Sequence, residues 1–131
     1  MASRVRHITF DCTDAYALAQ FWSAVLGFTE DARYPNAPDD PEAVIVDPEG
    51  RHPGVLFLTV PEGKVVKNRV HFDVQPTDRT RDDEVARLLS LGAMIHEDHR
   101  QADGTGWVTM LDPEGNEFCV ERSAAERSDD G

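Results

Sequence analysis

Apolar and polar positions alternate from Val5 to Cys12, with Ile8, Phe10 and Cys12 set against His7, Thr9 and Asp11, which predicts a strand. The period then lengthens. Leu18, Phe21, Trp22, Val25 and Leu26 form one stripe of a helix expected over about 15–26, with Asp14 as its N-cap and Gly27 as its stop. A weaker strand is expected over 28–34 and a mobile Pro/Asp-rich loop over 35–42. Strands over 43–46 and 55–60 are joined by a turn through Asp47-Pro48-Glu49-Gly50, and 61–68 reads as a linker. The pattern then restarts. A strand over 69–75 precedes a helix over about 80–91, which Thr80 and Asp83 open in the manner of a capping box and which carries Val85, Leu88 and Leu89. Strands over 93–99, 106–111 and 117–121 follow. Residues 122–131 lack large apolar side chains, which predicts a disordered tail.

The restart is a repeat. His7 and His71 lie 64 residues apart, Leu26-Gly27 recurs 65 residues later as Leu91-Gly92, and Asp47-Pro48-Glu49-Gly50 recurs 65 residues later as Asp112-Pro113-Glu114-Gly115. A near-constant offset marks two copies of one supersecondary unit. The expected fold class is α+β, with two tandem βαβββ modules over about 4–60 and 68–121 inside a single domain spanning 1–131. At about 65 residues each module is marginal alone and needs its twin.

Charge narrows the function classes. The net charge of −12 argues against nucleic acid as a partner, since phosphate binding needs clustered Lys and Arg. No apolar run approaches the ~18 residues of a membrane span, and the polar start, Met1 to Arg6, does not resemble a signal peptide. With two cysteines and no secretory context, reduced thiols and a cytoplasmic location are expected. Exposed sheet edges predict a homodimer.

Strand phase locates the candidate chemistry, because alternate side chains face opposite ways. Ile8, Phe10 and Cys12, then Val70, Phe72 and Val74, form the expected helix-facing set, so His7 and His71 project away from the helices. With Phe118 and Val120 as core, Cys119 joins that outer face. Taking Leu56, Leu58 and Val60 as core puts Phe57 and Thr59 there too. Two imidazoles and a thiolate suit zinc or another borderline divalent metal, which makes His7, His71 and Cys119 the candidate metal ligands. Phe57, Thr59, Asp73, Trp107 and Glu121 are the expected lining of a small-molecule pocket. The alternative for the same residues is structural: hydrogen-bonded strand histidines and a cysteine acting as a small hydrophobe.

The duplication, the strand His7-Ile8-Thr9-Phe10-Asp11, the helix ending Phe21-Trp22 to Leu26-Gly27-Phe28, and the run from Asp112 through Asn116 to Val120 together resemble the vicinal oxygen chelate superfamily. The likeness runs from about Val5 to Glu121 and is nearest the glyoxalase/bleomycin resistance branch of actinobacterial type. It implies a cupped mixed sheet with helices on its outer face. It also implies a divalent metal (zinc, iron, nickel or manganese) held from the first, fourth, fifth and eighth strands, at His7, Phe57, His71 and Cys119. Two of these positions depart from the pattern. Phe57 cannot bind a metal, and Cys119 stands where the metalloenzymes usually carry Glu. Glyoxalase I needs a carboxylate to move a proton beside its metal, so that activity is not expected. The resemblance leaves two readings open. One is a metal-dependent lyase, isomerase or dioxygenase acting on a small oxygenated substrate. The other is a metal-free, antibiotic-binding resistance protein.

Overall fold

The computed structural model describes residues 2–127. The chain divides into two compact units, Met1–Lys64 and Val65–Gly131, the division falling within the 61–68 segment. Each unit carries one four-stranded mixed sheet, and the two sheets share one topology.

In the first unit, β1 (His7–Cys12), α1 (Ala15–Leu26), β2 (Thr29–Glu30), β3 (Glu42–Val46) and β4 (Gly54–Thr59) give the sheet order β1-β4-β3-β2. β1 pairs with β4 in parallel, and the other neighbours are antiparallel. The Asp14 side chain accepts from the Ala17 N–H at 3.1 Å, and Gly27 closes α1 with φ 69, the left-handed conformation expected of a C-terminal glycine. Leu18, Phe21 and Trp22 are buried. Trp22 meets Phe10 edge-on with ring centroids 5.7 Å apart, so the even-numbered residues of β1 lie under α1, as expected.

β4 corrects the expected phase. Phe10 pairs with Phe57 and Cys12 with Thr59 across the parallel ladder, which puts these residues on one face. Phe57 is fully buried, 5.5 Å from the Phe10 ring, and the Thr59 hydroxyl accepts from the Ala15 N–H at the start of α1. Both therefore belong to the helix side, not to an outer pocket. The run Val55-Leu56-Phe57-Leu58 is apolar in both phases, so its alternation carries no information. Only the pairing decides it, and it turns Leu56 and Leu58 outward with His7.

The expected strand over 28–34 shrinks to Thr29–Glu30, because Tyr34 N–H bonds back to the Asp31 carbonyl and turns the chain. The Asn36 side chain takes over the missing pairing by bonding both the N–H and the C=O of Val44 at 3.0 Å.

The second unit repeats the plan with β5 (Asp73–Val74), α2 (Arg81–Ser90), β6 (Met94–Asp98), β7 (Val108–Leu111) and β8 (Glu117–Val120), in the order β5-β8-β7-β6. β5 and β8 are parallel. Phe118, Val120, Val108 and Met110 are buried with Val85 and Leu88 of α2. The Thr80 hydroxyl accepts from the Asp83 N–H at 3.1 Å, the expected cap. The turns Asp47 to Gly50 and Asp112 to Gly115 are built alike: the aspartate side chain accepts the N–H two residues on, and its carbonyl accepts from the glycine.

Two expectations for this unit are corrected. The strand over 69–75 is reduced to two residues, and Val70, assigned to the core, is 74 % exposed. The ladder with β8 begins at Asp73, opposite Cys119, and upstream of it the Glu117 side chain, not a backbone carbonyl, takes the Asn68 N–H. The tail expected to be disordered from 122 forms a short helix, α3 (Ala124–Arg127). The Ser123 hydroxyl accepts from the Glu126 N–H, while the Glu126 carboxylate accepts from the Ser123 and Arg81 N–H groups. Residues 128–131 lie outside the described residues.

Candidate functional site

The ladder of the second unit gathers polar side chains on its helix-free face. Asp73 pairs with Cys119 across β5 and β8, and Cys119 pairs with Thr109 across β8 and β7. In antiparallel and parallel pairs alike, partners share a face, and these three sit opposite Phe118 and Val120. His71 precedes β5 and points the same way, its Nε2 lying 3.3 Å from Asp73 Oδ1. One ligand atom each from His71, Asp73 and Cys119 lies within 4.8 Å of the other two, the one group of three or more such donors among the described residues. Together with Trp107, Glu121 and Arg127, these residues line a cavity of about 410 Å³.

The electrostatics are those of a protonated thiol beside carboxylates. Burial pushes the Cys119 thiol up from its ordinary value. The Thr109 hydroxyl, 3.5 Å from Sγ, opposes this, and the Asp73 and Glu121 carboxylates reinforce it. A cation in the cavity would reverse that balance, since a divalent ion deprotonates a coordinating thiol.

The donor set fits a divalent metal. Imidazole, carboxylate and thiolate are ligands of zinc and its neighbours. With bonds of about 2.0–2.3 Å, tetrahedral ligand atoms stand roughly 3.3–3.8 Å apart. The His71–Asp73 separation already falls in that range, and the 4.8 Å limit on the group requires only a small side-chain adjustment.

Of the residues singled out from sequence, His71, Asp73, Trp107, Cys119 and Glu121 share this cavity. Phe57 and Thr59 do not, for the reason given above. His7 belongs to the first unit. There it faces away from α1 and lines a cavity of about 610 Å³ with Arg6, Tyr34, Asn36, Val44 and Leu56. Its ring lies over Gly54, where an added Cβ would come within 3.3 Å of His7 Cδ2.

Sequence reasoning missed Asp73 as a ligand, although the spacing His71-x-Asp73 puts both on one face. It also missed Arg122 and Arg127, which the disordered-tail expectation hid. Arg127 reaches Glu121 at 3.4 Å.

No match was found among curated proteins. Solved structures match over nearly the whole chain at low identity. The fosfomycin resistance protein FosX from Mesorhizobium loti has a TM-score of 0.67 at 15% identity, covering 98% of this chain and 99% of its own. FosX from Listeria monocytogenes, solved as a mutant with Mn(II) and 1S,2S-dihydroxypropylphosphonic acid, has a TM-score of 0.68 at 16% identity, covering 97% of this chain and 95% of its own. A glyoxalase/bleomycin resistance protein/dioxygenase family enzyme from Burkholderia phytofirmans has a TM-score of 0.65 at 19% identity, covering 90% and 97%. At these identities the likeness is one of fold. Residues 7–121 match the glyoxalase-like domain, both βαβββ modules included, and the chain belongs to that family.

Proposed function

We propose that the cavity of the second unit is a small-molecule site in which His71, Asp73 and Cys119 hold a divalent metal. The reading is that of a lyase, isomerase or dioxygenase acting on a small oxygenated substrate. The observation that carries it is the approach of three chemically different ligand atoms to within 4.8 Å of one another on the helix-free face. A bound metal supplies Lewis acidity toward adjacent substrate oxygens. The chain's own residues hold and shape the site: Thr109 orients the Cys119 sulfur, Trp107 forms one wall, and the Arg127–Glu121 pair forms part of the rim. The metal is zinc, iron, nickel or manganese. The metal-free antibiotic-binding reading is the weaker one, because such a site has no need of a thiol, an imidazole and a carboxylate in one place.

Glyoxalase I chemistry is not proposed. The resemblance puts a ligand on the fourth strand, and the outward residues of β4 here are Leu56 and Leu58, which neither bind a metal nor carry a proton. We further propose a cytoplasmic homodimer, with reduced thiols at Cys12 and Cys119. Among the described residues no helix is long and apolar enough to cross a membrane.

The test is metal analysis of untagged protein, followed by Mn(II) and Zn(II) titration of the stripped protein. Stoichiometric binding is expected, lost in His71→Ala and Asp73→Asn and weakened in Cys119→Ser. Metal that stays bound in full after His71→Ala refutes the ligand set. His7→Ala asks separately whether the first unit contributes to metal affinity.

A further inference from the structure

Arg81 opens α2, yet its guanidinium turns away from the helix. It is 4 % exposed, and its Nη1 donates to three successive carbonyls, Gly104 at 3.2 Å, Thr105 at 3.0 Å and Gly106 at 2.8 Å, while Nε reaches Asp82 at 3.1 Å. A buried cation is tolerated only where its donors are satisfied, and here the acceptors are one turn of backbone together with the Asp82 carboxylate. That turn ends at Trp107. At Gly106, φ is +93 and a Cβ would stand 2.0 Å from the His99 carbonyl oxygen, so the backbone makes an approach open only to glycine. The His99 N–H then bonds the Trp107 carbonyl at 2.9 Å, and the two rings stack with centroids 4.6 Å apart and planes at 27°.

The indole is thus backed by the His99 ring and anchored through its backbone while remaining 44 % exposed on the wall of the cavity that also holds His71 and Cys119. A large apolar ring kept rigid and accessible is what a stacking platform requires. The charged side chains around the cavity balance, Asp73 and Glu121 against Arg122 and Arg127, so planarity is a stronger selector there than charge.

We propose that Arg81 is a positioning residue that holds His99 and Trp107 as a two-ring wall, and that this wall receives a planar aromatic ring of the ligand. The proposal rests on reading this cavity as the small-molecule site, and it does not depend on the metal.

The test uses the full chain stripped of metal, followed through the indole N–H resonances of Trp107 and of Trp22, which is buried in the first unit and serves as the internal reference. Benzoate is compared with cyclohexanecarboxylate, which has the same charge without a planar ring. Benzoate is expected to shift Trp107 and leave Trp22 in place, and cyclohexanecarboxylate to shift neither. Trp107→Leu and Arg81→Met should each weaken benzoate binding roughly three- to tenfold, with Arg81→Lys recovering part of it. An equal response to the two acids overturns the proposal, as does wild-type affinity in Arg81→Met. Should Arg81→Met fail to fold, unchanged affinity in both Trp107→Leu and His99→Ala overturns it instead. Mn(II) titration is read separately. Ring selectivity without metal binding rejects the metal reading alone, and metal binding without ring selectivity rejects this one alone.

Discussion

Phe57 shows how much one residue's phase decides. Buried against Phe10 and sealed beneath α1, it is a packing residue, and its truncation leaves a cavity that the parallel ladder cannot close. Phe57→Ala should lower unfolding stability by about 3–5 kcal/mol, and Leu56→Ala by clearly less, as measured by denaturant titration. Equal losses would contradict the register. Charge is equally legible at this scale. Asp98 accepts hydrogen bonds from the Arg100 guanidinium and backbone, which hold its carboxyl down from the ordinary 3.8 to about 2. A depressed carboxylate contributes stability that is present above its unfolded value, near 3.8, and is lost as pH falls through about 2. Carboxyl carbon NMR should show Asp98 titrating near 2 and moving toward the ordinary range in Arg100→Gln. An ordinary midpoint in the wild type would mean that the pair does not form in solution.

At the scale of elements, α3 is the instructive case. Ser123-Ala124-Ala125-Glu126 is a capping box in the literal sense, each end bonding the other's backbone N–H, and the Glu126 carboxylate also caps the first turn of α2 through the Arg81 N–H. Burial pushes the Glu126 carboxyl up, but the Ser123 and Arg81 N–H donors outweigh it and hold the group below its ordinary value. Glu126→Ala should destabilise the second unit by about 1–2 kcal/mol and raise amide exchange across 123–127 and at the start of α2. Unchanged exchange would show that the two helix ends are not tied. The signal was present in the residues and was outweighed by the polarity of the segment, since composition cannot register two specific hydrogen bonds.

At the scale of the whole molecule, the near-constant offset is realised as two sheets of identical strand order, β1-β4-β3-β2 and β5-β8-β7-β6. Light scattering at tens of micromolar should report twice the chain mass of 14.6 kDa, and a monomer there would rule out the proposed dimer. What the sequence determined by itself is what local periodicity can encode: the repeat, the order of elements through β8, both principal helices with their N-caps, and the outward phase of His7, His71 and Cys119. What only the tertiary structure decided is what depends on partners far along the chain. The Val55 to Leu58 run is apolar in both phases, so the pairing of Phe10 with Phe57 had to choose its core residues. The extent of β5 was set by its ladder with β8, which takes in only Asp73 and Val74. Asp73 joined His71 and Cys119 because a parallel ladder set it opposite a residue 46 positions away, and alternation along one strand holds no information about the register of the next.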